Sequence, residues 1–474
     1  LYILENSLFN RIFNRKNMNI PNRVKGTQDI FGEYQRYFTF LKKLARHEFR
    51  TNGFTRISTP ILEHTDLIAR SSGASSDVVS KEMYEMTDKG GRSLVMKPEG
   101  TAGVMRAYLE HMLDEPQPVY LYYIEPHFRY DRPQKGRYRQ FHQIGGEIIG
   151  EEDPILDAKM IHIMKSLMDS AGLAGTYTIK INSLGVEKER EKYLIELQSF
   201  FEGRKHLLDE TDLHRLATNP LRILDSKNPD VQELLKIAPK ITDFLKGDSK
   251  KFYESVKEYL TILGVEFIED PTLVRGLDYY SHTVWEFVDG SGRTQDAFGG
   301  GGRYNSLAKS IGYKNEVPAV GFALGVERLI EAMMAHGVKL KNKDSIHLYI
   351  VQLGDDAKKL ALPLNLESRK KGINSLLSLG TPSIKVQLKK ANRVGARFVA
   401  IIGIMEAKKG VCQLKDMEKG TQEECRLDDV IHRVVEAIGT ENLSFYHPSF
   451  DWVIEPPKIP ENPENPENPE NITE

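Results

Sequence analysis

The stretch FRYDRPQKGRYRQFHQ, residues 128–143, most restricts what this chain can become. It lies between two β-rich segments, VYLYYIEPHFR (119–129) and FHQIGGEII (141–149), placed to fold back on each other as a hairpin. Strand side chains alternate between faces, so Phe141, Gln143, Gly145 and Glu147 share one face. His142, Ile144 and Ile148 share the other. Gln143 and Glu147 then stand about 13 Å apart, at roughly 3.3 Å per residue. The alternation predicts a floor with polar groups at both ends and no side chain in the middle, suited to a small polar ligand.

The bridge between these strands carries five cations, Arg129, Arg132, Lys135, Arg137 and Arg139, against one acid, Asp131. The whole chain has no such surplus, with 65 Lys+Arg against 67 Asp+Glu in 474 residues. Most charge runs are solvated turns, but Arg129 and Arg139 fall within or beside the strands, away from the tip. Planar guanidinium forks fit phosphate oxygens, and clustered cations gain value where phosphate charge builds up in a reaction. A phosphate or RNA site is expected here.

Composition narrows the setting. A chain that is 40% hydrophobic and 28% charged is an ordinary globular protein. Its longest apolar runs, such as FVAII at 398–402, fall far short of a membrane span. Two cysteines, Cys412 and Cys425, argue for a reducing, cytoplasmic setting and against disulfides or a thiolate metal site. Residues 440–474 hold eight acids and one lysine, so the rest of the chain is mildly basic, which permits nucleic-acid binding without requiring it.

The organisation along the chain follows from periodicity and breaks. Residues 1–18 read as a leader or as sequence ahead of a start at Met18. Residues 19–185 form a first block: a helix over 35–52 with Phe38, Leu41, Leu44, Ala45 and Phe49 at helical spacing, then a strand Thr55–Ile61 containing Pro60. A strand follows at Ser93–Lys97, and PEGTA (98–102) opens a helix. Residues 186–262 are charged and helical, an inserted module. Strand character returns over 263–340, in TVWEFV (283–288), FGGGGRYNSL (298–307) and AVGFALGVERLI (319–330). Residues 344–439 alternate as a small α/β domain, with HLYIVQL, IKVQL and FVAIIGI as strands and helices through Leu377, near Ala391 and over Asp428–Ile438. The PEN repeat within 440–474 reads as an extended, disordered acidic tail.

Two small-residue segments admit two readings each. The four glycines of FGGGGRYNSL allow close backbone approach by a ligand, or tight strand packing. Gly321, Ala323 and Gly325 leave one strand face nearly bare, either for a flat ligand beside Arg328 or for helix packing. No HExxH, CxxC, GxSxG or complete P-loop is present. That suits a reaction whose nucleophile is already ionised, such as a carboxylate attacking a phosphate, which needs mainly positioning and charge neutralisation.

Taken together, FRYDRPQKGRYRQFHQ, LVRGLDYYSHTVWEF, AFGGGGRYNSL and VGFALGVERLI resemble the histidyl-tRNA synthetases, a class II aminoacyl-tRNA synthetase family, over about residues 20–437. The helix and Pro60 strand resemble motif 1, residues 128–149 motif 2, and 319–330 motif 3. LVRGLDYY and GGGGRY resemble the segments peculiar to the histidine enzyme. The resemblance implies an α+β fold: an antiparallel sheet flanked by helices, a helical insertion and a C-terminal α/β anticodon-binding domain. It implies a homodimer that forms histidyl-adenylate from L-histidine and ATP, with Mg2+ accompanying ATP, and passes histidine to tRNA(His). No membrane role is implied.

The same resemblance implies roles residue by residue. Arg129 and Arg275 would stabilise the reacting α-phosphate as the catalytic pair. Glu99, Thr101, Gln143, Glu147, Tyr279, Tyr280 and Tyr304, with Arg275, would bind histidine. Arg137, Phe141 and Arg328 would join Arg129 on ATP. Arg132, Gln134 and Lys135 would meet the tRNA acceptor end. A carboxylate paired with a tyrosine hydroxyl can read both nitrogens of a neutral imidazole. Asn305 departs from the usual Asp after GGRY, and GIMEAKKG (403–410) departs from a more acidic form. The rivals are a non-catalytic paralogue that partners the first enzyme of histidine biosynthesis, another class II synthetase, and a plain RNA-binding protein.

Overall fold

The computed structural model describes residues 21–73, 76, 78–132, 137–290, 297–340, 346–380 and 383–443. Residues up to Leu340 form one compact unit and those from Lys341 a second.

The first unit opens with the helix Gly32–Thr51, which buries Tyr37, Phe38, Leu41, Ala45 and Phe49 on one stripe. Gly53, at φ +85°, ends it in a conformation that costs glycine little. The strands that follow are β1 (Thr55–Arg56), β2 (Leu62–His64), β3 (Tyr84–Thr87), β4 (Ser93–Met96), β5 (Val119–Phe128) and β6 (Gln140–Ile149). Then come β7 (Tyr177–Ser183), β8 (Ile268–Glu269), β9 (Ser281–Asp289), β10 (Ala297–Arg303) and β11 (Ala319–Gly325). Eight of them form one sheet in the order β1-β5-β6-β11-β10-β9-β7-β8, while β2-β4-β3 form a small second sheet. The six strands from β5 to β7 pair antiparallel, and two-residue β1 and β8 add parallel edges.

One face of the large sheet carries the core. Tyr122, Ile144, Ile148, Val320, Phe322 and Leu324 pack with Phe49 and with Met160 and Met164 of the helix Pro154–Met168. The opposite face carries Tyr123, Gln143 and Ala323, and is left for the site. Between β7 and β8 the chain is helical, with Glu187–Glu202, Glu210–Thr218, Pro229–Leu235 and Gly247–Ile262. Tyr193, Leu197, Phe201, Leu216, Val231 and Leu235 from the first three helices are buried in one apolar cluster.

The strand expected over Thr55–Ile61 is only two residues long. The Ile57 amide still donates to Tyr122 O, at 2.9 Å, but the chain then turns away. Lys97 draws it off: its Nζ donates to Thr59 O and its amide to Ile61 O, at 3.0 and 2.8 Å. Pro60, which has no amide hydrogen to give a ladder, lies in that bend.

The second unit contains β12 (Leu348–Gln352), β13 (Ser375–Leu377), β14 (Phe398–Ile402), β15 (Val411–Asp416) and β16 (Gln422–Arg426), ordered β13-β12-β14-β15-β16. IKVQL is a helix here, the start of Ile384–Arg393, and the preceding helix ends at Lys370, leaving 375–377 as the strand. Ile384, Leu388 and Ala391 sit at helical spacing against Tyr349, Val351 and Val399. Gln387 is buried on that face and trades hydrogen bonds with the Gln352 backbone, which meets the requirement on a polar group in a core.

Candidate active site

A cleft of about 240 Å3 opens on the free face of the large sheet. Glu99, Thr101, Arg129, Arg137, Phe141, Gln143, Arg275, Tyr279, Tyr280 and Arg328 all line it. Residues as far apart in the chain as Glu99 and Arg328 thus converge, because β6, β11 and β10 are neighbours in the sheet.

The floor runs across the strands, not along one. Register aligns Tyr123, Gly145, Ala323, Gly300 and Glu286 in a single row through β5, β6, β11, β10 and β9. The small residues in the middle make the trough. The gap expected at Gly145 is filled: a Cβ there would come within 2.2 Å of the Tyr123 ring, which lies across it from the facing strand. Directly opposed residues share a face and cover one another, and sequence alternation along β6 alone cannot show this. The small residues divide between the cleft wall and close strand packing. Gly299, Gly300, Gly321, Ala323 and Gly325 line the cleft, while a Cβ on Gly301 would come within 2.1 Å of Gly321 O.

Glu147 and Tyr304 lie outside the cleft lining, one layer below it. Glu147 is 1% exposed, tucked against Gly321, where a Cβ would fall 1.5 Å from its Oε2. It accepts from Thr101 Oγ1 at 2.9 Å, from Tyr123 OH at 3.5 Å, and from Tyr304 OH. Burial pushes this carboxyl up to about 8, against the pull of these hydroxyls. The Tyr279 and Tyr280 rings lie 4.6 Å apart and tilted by 50°, and Tyr304 meets Tyr279 edge-on at 5.6 Å. The result is a buried carboxyl ringed by hydroxyls, whose outer members, Thr101 and Tyr123, reach the cleft.

Glu99 is buried at the start of the helix Thr101–His111, and its oxygens accept from the Thr101 and Ala102 amides, each at 2.7 Å. Burial raises its pKa, and these amides oppose that. Gln143 Oε1 is buried with no partner, an acceptor available to a ligand. Arg129 donates through Nε to Pro98 O at 2.9 Å and lies 5.5 Å from the Phe141 ring. Arg137 pairs with Asp131 at 3.2 Å, and Arg328 donates to Ala297 O. Arg275 pairs with Glu286. Arg132 is exposed and outside the cleft lining, and Gln134 and Lys135 fall outside the described residues.

Three participants escape a reading by motif: Tyr123, Glu286 and Glu327. Tyr123 was detectable as the residue facing Gly145 in the hairpin, and Glu286 as the lone acid inside the strand TVWEFV. Glu327 accepts from the His142 amide at 2.8 Å and meets its Nδ1 at 2.7 Å, tying β6 to the helix Val326–Ala335. No periodicity within either segment announces that contact.

Comparison with known proteins identifies the family. The family model described as histidyl-tRNA synthetase matches residues 26–329, and the anticodon-binding-domain model matches 347–437. The histidine-tRNA ligase of Halothermothrix orenii is 43% identical over 411 residues, covering 86% of this chain and 98% of that protein. The Bacillus subtilis enzyme of the same name is 43% identical over 423 residues, covering 87% and 97%. Among solved structures, the apo S. aureus histidyl-tRNA synthetase aligns with a TM-score of 0.73 at 37% identity, over 88% of this chain and 100% of that one. With matches that span nearly its whole described length, the chain belongs to the histidyl-tRNA synthetase family.

Proposed function

We propose that the protein joins L-histidine to tRNA(His) in two steps within this cleft. The histidine carboxylate attacks the α-phosphorus of ATP and pyrophosphate leaves. A terminal ribose hydroxyl of the tRNA then attacks the histidyl carbonyl and AMP leaves. The observation that carries the reading is the convergence of Arg129 and Arg275 on one cleft with Gln143, Thr101 and the tyrosine cluster. Two guanidinium groups neutralise charge building on the α-phosphate, where preorganised donors are worth most. Gln143 and Glu99 hold the backbone end of histidine, with Thr101 beside them. The Glu147–Tyr304 layer, with Tyr279 and Tyr280, supports the imidazole pocket. Phe141 stacks on adenine, and Arg137 and Arg328 take the outer phosphates.

Among the described residues no group of three or more His, Cys, Asp or Glu is arranged to hold a metal ion. Four acids line the cleft, Glu82, Glu99, Asp131 and Glu327; Glu99 accepts from the Thr101 and Ala102 amides, Asp131 pairs with Arg137 and Glu327 with His142. Mg2+ is expected to accompany ATP, held mostly by phosphate oxygens and water. The second unit would read the anticodon, and Arg132, Gln134 and Lys135 the acceptor end. A homodimer is proposed through the motif 1 region, where Phe31, Ile61 and Leu62 are exposed large apolar residues. A cytoplasmic setting suits Cys412 and Cys425, which face each other across β15 and β16 as free thiols. No helix among the described residues is long and apolar enough to cross a membrane.

Histidine-dependent exchange of labelled pyrophosphate into ATP tests the proposal. The protein should catalyse it, and Arg129→Ala or Arg275→Ala should each lower the rate by roughly 10²–10³-fold. No exchange by the parent protein would reject the enzyme reading in favour of a non-catalytic paralogue. Light scattering tests the dimer.

A further inference from the structure

Arg275 does not stand free in the cleft. Its Nη1 donates to Oε1 of Glu286, a side chain on β9 at the end of the cross-sheet row Gly145–Ala323–Gly300–Glu286. Gly300 makes this possible. A Cβ there would lie 2.8 Å from Arg275 Nη1 and 2.9 Å from its Cζ, so the guanidinium occupies the space a side chain would take. Beyond Glu286 in the row, on β7, stands Lys180, whose Nζ is engaged by Asp270 at 2.8 Å. Glu286 therefore meets Arg275 without competition from that lysine. On the other edge of the same guanidinium, Arg275 Nε is buried and has no partner.

We propose that Glu286 is the positioning residue for Arg275: it anchors the Nη1 corner and so holds the guanidinium over Gly300 in the cleft, ready for the reacting phosphate. The inference rests on the proposed adenylation reaction. An arginine side chain loses rotamer freedom when fixed, and a carboxylate that fixes it in advance removes that cost from the chemical step. Glu286 touches no reacting atom, so its effect passes through Arg275 alone.

Steady-state pyrophosphate exchange with the full-length protein tests this, in a double-mutant cycle with Arg275. Glu286→Ala should lower kcat about 10- to 100-fold while the KM for histidine moves less than about threefold. Glu286→Gln, which keeps an acceptor oxygen, should recover most of that loss. In an Arg275→Ala background, Glu286→Ala should cost less than about twofold more, because a positioning residue has nothing left to position. Full additivity of the two substitutions overturns the proposal. So does a Glu286→Ala loss confined to a raised Mg2+ requirement, or a kcat within twofold of the parent. A parent protein without exchange rejects the adenylation reading itself, which separates the two failures.

Discussion

The Tyr304 hydroxyl donates to Oε2 of Glu147, a carboxyl sealed beneath Gly321 on the underside of the cleft. Burial pushes that carboxyl up to about 8, whereas an unfolded chain holds it near about 4.3. The native state thus keeps the proton more tightly than the unfolded state. Its contribution to stability is complete below the unfolded value and is lost as pH rises toward 8. Glu147→Gln removes the titration and nearly preserves the shape. Urea unfolding at pH 5, 6.5 and 8 should show parent stability falling relative to the variant, by up to about 1.4 kcal/mol per pH unit. A parent-minus-variant difference independent of pH would mean that Glu147 does not hold a proton in the folded protein.

Two glycines on the same bare strand separate packing from site chemistry. A Cβ on Gly321 would overlap Glu147 Oε2, at 1.5 Å, and crowd Gly146 O at 2.8 Å. A Cβ on Gly325 would make ordinary contact with Arg328 Cδ at 3.4 Å. Gly321→Ala should destabilise by about 1–3 kcal/mol and raise the KM for histidine, since Glu147 must leave its hydroxyl cage. Gly325→Ala should keep the parent melting temperature within a degree or two. Thermal melts and exchange kinetics of the pair decide it, and equal damage from both would refute the specific overlap.

Much of this site was legible before any coordinates, and the reason is local. Alternation along β6 does put Gln143 on the ligand face, and the bare residues of β11 do line the cleft. What could not be read was the direction of the trough. It crosses from β6 to β10 through pairings between residues 145, 323 and 300, and no pattern within one strand encodes its neighbours. Arg275 over Gly300 is likewise invisible in the sequence, because it joins a loop residue to a strand. The misread helix at 384–393 has a different cause: IKVQL satisfies a strand by composition, and only the core behind Gln387 and Ala391 selects the helix.

The buried pair beneath the histidine-specific glycines should be costly to split. Arg303 and Asp157 are both fully buried and joined through Nε at 3.0 Å and Nη2. Further Arg303 donors reach the Glu151 and Asp153 carbonyls, at 3.2 and 3.3 Å. Removing the carboxylate leaves a buried guanidinium with backbone acceptors but no counter-charge. Asp157→Ala should therefore destabilise by about 3–5 kcal/mol, and replacing both residues by apolar ones of similar volume should cost less. Melting curves of the single and double variants measure this. A single variant that melts like the parent would show that the pair carries little.

Asn305 explains itself through Glu152. Its Oδ1 accepts from the Ala319 amide at 3.1 Å, and its Nδ2 donates to Glu152 Oε1 at 2.9 Å. A carboxylate in its place keeps the first bond but turns the second into two facing oxygens. Because Glu152 is exposed, it can swing into water, and the penalty of Asn305→Asp should be modest, about 1 kcal/mol at pH 8. The penalty should vanish in a Glu152→Gln background, where an amide replaces the facing carboxylate. Asn305 lies outside the cleft lining, so kcat and the KM for histidine should stay within about twofold. Stability of the four members of this cycle, measured at pH 8, gives the result. A penalty that persists without the Glu152 charge would place its origin in Arg303 or the Ala319 amide instead.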